Sequence, residues 1–433
     1  MDKISPFQII LMAVFGVSAL VGLFIFANFQ GFGGAKNQVG SVVIWGTLPS
    51  EAMEKGIQQL TDLNKDYGKI SYVERPSATF STDLANALAS GAGPDLIVIS
   101  QEMLQSERAK LSLIPFSSMP QRTFLDSFLP IFEVYLTTSG TYGIPFVVDP
   151  LVLYYNRPML AGAGVVSAPS TWEAVAGLAP AITKRTDAGA VTRSLIALGE
   201  YGNVHNARAI LSTLLLQAGS PITKMTEQGV RSTLADESGT YGTTPAQSAV
   251  NFYAQFADPA KTTYSWNRSL PDSRTMFTTG DLALYPGFAS ERLFISEANP
   301  NLDFDMAPIP APGTLQNRVT YGLAYAFAVP KAAGNAAGAY LAALALADVG
   351  ISNGIAQGLG MAPARRASLA APSDDKYASV FYPEALISRG WLSPAPLSVD
   401  AIFSAMIGDI TTGKRSVEQA VNVASGAITA GAQ

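Results

Sequence analysis

The constraint that dominates this chain lies in its first thirty residues. Residues 7–29, FQIILMAVFGVSALVGLFIFANF, form a run of 23 without a charge. A helix of about 20 apolar residues crosses the hydrocarbon core of a bilayer, so residues 1–30 are expected to form an N-terminal transmembrane helix, a membrane anchor. A cleaved signal peptide is the competing reading. Its apolar region runs for about 7–15 residues and ends at a small-x-small site. Val17-Ser18-Ala19 has that pattern, but the apolar run continues ten residues past it. A buried core helix fits less well, because the segment is apolar all round and gives way to GFGGAKNQVG, residues 31–40, a flexible linker. Lys3 precedes the run and Lys36 follows it. With the amino terminus, that weak asymmetry favours the N-terminus inside and the rest outside. The expected location is the cell membrane, single-pass, with the globular part on the extracytoplasmic side.

Roughly 390 residues follow the linker, too many for one compact core, which suggests two lobes. Charged residues make up only 14% and hydrophobic ones 48%, so a folded chain is expected. The net charge is −5 and there is no basic tract, which argues against nucleic acid as a partner, since phosphate neutralisation needs clustered Lys and Arg. The absence of Cys excludes disulfides, thiolate metal sites, thiol nucleophiles and a lipidated cysteine. With one histidine, His205, a His-based metal cluster is ruled out, and no GxSxG, HExxH or GxxxxGK[ST] motif is present. No cofactor is implied, and the chain reads as a non-enzyme.

Hydrophobic periodicity supplies an α/β framework. Val42-Val43-Ile44-Trp45 reads as a strand, and Met53, Ile57, Leu60 and Leu63 recur at helical spacing after it. Residues 70–74 read as a second strand, residues 84–88 as helix, and Asp95-Leu96-Ile97-Val98-Ile99 as a buried strand after the break Gly91-Ala92-Gly93-Pro94. This alternation predicts βαβ units and a mostly parallel sheet. Further strands are expected at 151–155, 282–285 and 321–329, and helices at about 171–183, 206–218, 244–257 and 335–348. Ser170 with Glu173, and Ser416 opening the last helix, are capping-box candidates.

Several segments, taken in order, resemble one known family. They are VVIW at 42–45, ALASGAGPDLIVIS at 87–100, YGIPFVVDPLVLYYN at 142–156, APSTWEAV at 168–175, MFTTGDLALYPGFASER at 276–292, TYGLAYAFAVPKAA at 320–333 and GKRSVEQAV at 413–421. Together they resemble the extracellular solute-binding proteins of ABC importers, in the family-one, maltose-binding-protein-like branch. The resemblance implies a two-lobed, periplasmic-binding-protein-like (type II) fold with a ligand cleft between the lobes. It places crossings near 147–150, 317–321 and 364–368, lobe one at 41–148 plus 319–366, and lobe two at 149–318 plus 367–433. The implied function is capture of a carbohydrate, an oligosaccharide, by hinge closure and its delivery to the permease subunits of an ABC transporter. Relatives are free in a periplasm or tethered by a lipidated cysteine; here Cys is absent, and the expected tether is a peptide helix.

Sugars offer ring hydroxyls and apolar C–H faces, so their sites combine aromatic rings with planar polar groups such as carboxylates. By resemblance, Trp45 and Thr47 in the first βα turn, Glu102 after strand 95–100 and Asp149 in the first crossing are candidate contacts. Phe288 sits where relatives stack an aromatic ring, and Trp391 or Phe403 would supply a second. Asn203 and His205 lie in an open loop, and Gly322 would let backbone approach a ligand, although glycine within a strand also marks a bulge. Asp95 and Trp172 read as structural. Within the same fold a polyamine or ferric iron is the alternative solute, although Tyr154 and Tyr155 alternate in facing and do not easily share one ion. A sensory receptor is the alternative role.

Overall fold

The computed structural model describes residues 39–236, 243–315 and 318–431. The apolar run 7–29 lies outside them. Among the described residues no single helix is long and apolar enough to cross a membrane.

The first third of the chain builds the expected βαβ units: β1 (Val42–Gly46), α1 (Ser50–Leu63), β2 (Ile70–Glu74), α2 (Phe80–Ala89), β3 (Leu96–Ser100) and α3 (Gln101–Glu107). Helix α1 buries Ala52, Met53, Ile57 and Leu60. Leu63, read as the last member of that stripe, instead points to solvent in the final turn. Strands β1 and β2, and β1 and β3, pair in parallel. Asp95 secures the entry to β3: its carboxylate accepts the Val43 N–H at 3.0 Å and the Asn335 N–H at 2.8 Å.

One strand organises the rest. β4 (Ile144–Asn156) is 13 residues long and buried almost throughout, as a near-continuous apolar run covered on both faces should be. The later elements that matter are β5 (Val191–Ile196), α4 (Ala207–Gln217), β6 (Leu282–Phe288), α5 (Glu291–Ala298), β7 (Phe304–Ala307), β8 (Thr320–Ala328) and α6 (Pro396–Thr411). The N-terminal half of β4 pairs with β8, through Val147 to Pro150. Its C-terminal half pairs with β6 from Leu151 to Tyr155, and with β7. The backbone changes partners at Pro150, and the main sheet path runs β2-β1-β3-β8-β4-β6-β5. The expectation of a mostly parallel sheet is corrected. β8 lies antiparallel to both β3 and β4, and β6 antiparallel to β4, while β6 and β5 are parallel. A strand returning from a distant part of the chain is free of the βαβ rule that forces parallel pairing.

One helix assignment changes in detail, and one cap forms as expected. Residues 171–183 form two short helices, Trp172–Gly177 and Ala179–Ile182, and the cap is Thr171, which accepts from the Ala174 N–H, rather than Ser170. The Ser416 capping box forms with Gln419. Trp172 is buried and donates from Nε1 to Gln217 Oε1 at 2.7 Å.

Candidate functional site

Where the start of α3, the start of β8, α4, the end of β6 and α6 converge, they leave a cleft of about 380 Å³, within the roughly 300–1,000 Å³ usual for small-molecule sites. Its walls include Glu102, Tyr201, His205, Asn206, Arg208, Asp272, Phe288, Tyr321, Leu323 and Asp400. Three residues anticipated from the sequence, Glu102, His205 and Phe288, are brought together here.

Each is positioned by a different element. Glu102 opens α3 just after β3 and is largely buried. Its Oε2 accepts a hydrogen bond from Arg208 of α4, and its Oε1 accepts one from the Tyr321 hydroxyl at the head of β8. Arg208 also donates to the Pro396 carbonyl at 2.9 Å, and its Nε lies 3.9 Å from Asp400 Oδ1. Burial works against the Arg208 charge, but the Glu102, Tyr321 and Asp400 oxygens outweigh it and hold its pKa above the ordinary arginine value. Tyr201 donates to Asp400. Desolvation first, and then the neighbouring carboxylate, push the Tyr321 and Tyr201 hydroxyls well above the usual tyrosine range, so both stay protonated donors.

The opposite wall is looser. The half-buried Phe288 ring ends β6, with its N–H donating to Glu291 Oε1 at 2.8 Å. Asn206 donates to the same oxygen at 2.7 Å. His205 Nδ1 stands 3.7 Å from Asp272 Oδ2, while its backbone N–H is held by Ser273 Oγ at 2.9 Å. An aromatic face, three carboxylates and phenol hydroxyls thus border one volume. That is the combination a hydroxyl-rich ring needs.

The remaining anticipated residues do not line this cleft. Trp45 is 7% exposed, with the Arg75 guanidinium 3.8 Å from its ring centroid, because β1 is covered on both faces and leaves no free side. Thr47 is half-buried in the turn after β1. Asp149 is 2% exposed, and its partner is Ser290, whose N–H and hydroxyl donate to its two oxygens at 3.0 and 2.6 Å. Asn203 ties its own loop together: its amide donates to the Asn267 and Leu270 carbonyls at 2.9 Å, and its oxygen accepts from Trp266 at 3.1 Å. Gly322 is there for packing. A Cβ at that position would stand 2.9 Å from Ser388 Oγ, and its carbonyl accepts from Gln101 at 2.9 Å. Trp391 and Phe403 are core residues 6.3 Å apart, with the indole N–H donated to Ser212 Oγ at 3.0 Å. Tyr154 and Tyr155 do face apart: the first donates to the Phe288 carbonyl, the second to Asp305. Among the described residues no three His, Asp or Glu groups are placed to hold a metal ion.

Arg208, Asp400, Tyr201 and Tyr321 escaped the sequence reading. A signal existed for Arg208, the one charge in the helix ARAILSTLLLQ, and for Asp400, an acid in the first half of the apolar α6. A charge in such a helix needs a partner or a function. Nothing in the sequence distinguishes Tyr201 and Tyr321 from core tyrosines.

The sequence profile of the bacterial extracellular solute-binding proteins matches residues 46–356. No curated protein matches in sequence. Solved structures match over almost the whole chain. A cyclo/maltodextrin-binding protein complexed with maltotetraose superposes with a TM-score of 0.73 at 15% identity, covering 93% of this chain and 99% of that one. The cyclic alpha-maltosyl-1,6-maltose binding protein from Arthrobacter globiformis gives 0.73 at 17%, covering 90% and 98%. The GacH receptor of Streptomyces glaucescens, solved unliganded and with acarbose, gives 0.66 at 19%, covering 89% and 97%. At these identities the likeness is one of fold: two α/β lobes.

Proposed function

The chain belongs to the bacterial extracellular solute-binding proteins, and from that premise we propose that it captures an oligosaccharide in the cleft at Glu102, Arg208 and Phe288 and hands it to an ABC permease. The observation that carries this reading is the meeting of the Phe288 ring with the Glu102 and Asp400 carboxylates around one cleft of about 380 Å³. Neighbours in fold that hold maltotetraose or acarbose lend support.

In this reading lobe one comprises residues 41–148 plus 319–366 and lobe two 149–318 plus 367–433. Glu102 and Tyr321 then belong to one lobe, and Arg208, Phe288 and Asp400 to the other. A sugar bridging them shifts an open–closed equilibrium by its differential affinity for the closed form. The uncharged run 7–29 would anchor the protein with its globular part outside the membrane. The acidic lining, Glu102, Asp272 and Asp400 against Arg208, favours a polyamine as the second reading.

The test is a thermal-shift screen of the purified protein against maltodextrins, cyclic glucans, monosaccharides and polyamines. A sugar at about 100 times its Kd stabilises the fold by about 2.7 kcal/mol. The shift should appear with an oligosaccharide and shrink in Phe288→Ala, with a loss of about tenfold in affinity for the missing ring. A shift with polyamines alone would overturn the sugar.

A further inference from the structure

Asp149 lies deep at the point where β4 changes partners, and the ligand cleft lies beyond it. A short chain of bonds joins the two. Asp149 accepts both the N–H and the hydroxyl of Ser290. The next residue, Glu291, accepts the Phe288 N–H, the Asn206 side-chain amide and the Tyr285 hydroxyl at 2.8, 2.7 and 2.5 Å. Phe288 and Asn206 both line the cleft. Neighbouring bonds fix the same corner: the Ala289 N–H donates to the Pro150 carbonyl at 3.0 Å, and the Tyr154 hydroxyl to the Phe288 carbonyl at 2.7 Å. The Phe288 N–H and the Asn206 amide, which set the two cleft residues of this corner, thus both depend on where Glu291 sits, beside Ser290.

We propose that Asp149 is a positioning residue: it sets Phe288 and Asn206 through Ser290 and Glu291, and its ionisation is coupled to ligand affinity. The proposal rests on the oligosaccharide reading above. It gives Asp149 a different task from direct contact with sugar.

The chemistry fixes the direction. As a carboxylate, Asp149 accepts both Ser290 donors. Once protonated, one oxygen must donate, and the Ser290 hydroxyl has to turn round to accept. Burial opposes the charge and raises the pKa to about 7. The two Ser290 bonds act the other way, Glu291 adds to the rise, and Arg292 lowers it. The other titratable groups facing Asp149 are Tyr154 on β4 and Tyr325 on β8, both held protonated by burial. The ionised form thus pins the corner and dominates above about pH 7; the protonated form loosens it below.

The experiment is calorimetric titration of the full-length protein with maltotetraose, or with whichever oligosaccharide of the screen binds, from about pH 5.5 to 8.5 around that pKa. Wild-type Kd should fall about fivefold or more as pH rises, the lower end of the range for coupled sites. Asp149→Asn reproduces the protonated hydrogen-bond pattern at every pH. Its Kd should stay at the low-pH value, the difference between the two profiles removing any share of His205 and Asp272, which also border the cleft. Ser290→Ala should flatten the profile too, and adding it to Asp149→Asn should change Kd by no more than about twofold, since both cut one path. If the two substitutions multiply, Asp149 acts without Ser290 and the proposal falls. It also falls if wild-type affinity is the same at both pH extremes. A wild type that takes up no sugar at any pH overturns the functional reading, and this proposal with it. Should Asp149→Asn fail to fold, the profile of Ser290→Ala alone decides.

Discussion

Glu102 and Asp149 are the same functional group in two neighbouring parts of one molecule, and the surroundings give them different work. Glu102 starts a helix at the cleft edge, with a guanidinium and a phenol donating to its oxygens. Asp149 sits 2% exposed within a strand, with a serine alone donating to it. The first is tied into a network at the cleft wall, between Arg208 and Tyr321. Neutral donors and burial leave the second poised to pick up a proton, which makes it a device for holding backbone. The lesson is that the partner, more than the carboxylate, decides the role.

The sharpest way to break that comparison is to remove the Glu102 carboxylate. Glu102→Ala leaves Arg208, whose side chain is 18% exposed, with Asp400 at 3.9 Å as its remaining countercharge. Breaking a fully buried pair costs about 3–5 kcal/mol. With Asp400 still present, a loss of about 2–3 kcal/mol is expected in urea unfolding, with sugar affinity falling beside it. A loss below about 1 kcal/mol would mean that Asp400 takes over the guanidinium, and the contrast with Asp149 would vanish.

The second test reads the buried carboxyl through stability. Unfolded, an aspartate titrates near 3.8, whereas Asp149 in the fold titrates at about 7. Between those values the native state holds a proton that the unfolded chain has released. Stability therefore falls as pH rises from about 4 to about 7 and is level above. Glu384 contributes with the same sign: burial, partly offset by Arg318, raises it to about 7. The quantity to measure is thus the difference between wild type and Asp149→Asn. The asparagine variant should gain on wild type across that window, by on the order of a few kcal/mol at its top. A constant difference from pH 4 to 8 would show that Asp149 is ionised throughout.

Much of the framework was legible because burial writes a periodic pattern. The alternation of strands and helices up to residue 99, the second part of β4 at 151–155 and the Ser416 capping box followed from local rules, whereas the first half of β4, from Ile144, went unread. The antiparallel pairings of β8 and β6 with β4 were not legible, since strand order depends on distant partners. The cleft was half legible. The family resemblance pointed to Glu102 and Phe288 and the open loop to His205, all of which line it, but Trp45, Trp391 and Phe403 are aromatic residues that the core claimed, and sequence does not say which face a ring will find. Arg208 could have been found as the lone charge of α4. Its pairing with Glu102, 106 residues away, is tertiary and leaves no local trace.

The smallest expected effect concerns the looser wall, and it tests whether that wall grips at all. His205 approaches Asp272 only to 3.7 Å with a side chain 31% exposed, so the pair should add less than about 1 kcal/mol. Neither partner depends on it. The His205 backbone bond to Ser273 does not involve the ring. Asp272 keeps its own role as the cap of Ser273–Thr278, accepting the Arg274 N–H at 3.0 Å. His205→Ala should leave the melting curve almost unchanged and weaken sugar binding by about two- to threefold, the share of one contact at an open edge. Titration of that variant beside Glu102→Ala ranks the two walls directly. A loss of tenfold or more at His205 would move the centre of the site from the paired network to the loop, because an exposed imidazole gains that much only by touching the ligand itself.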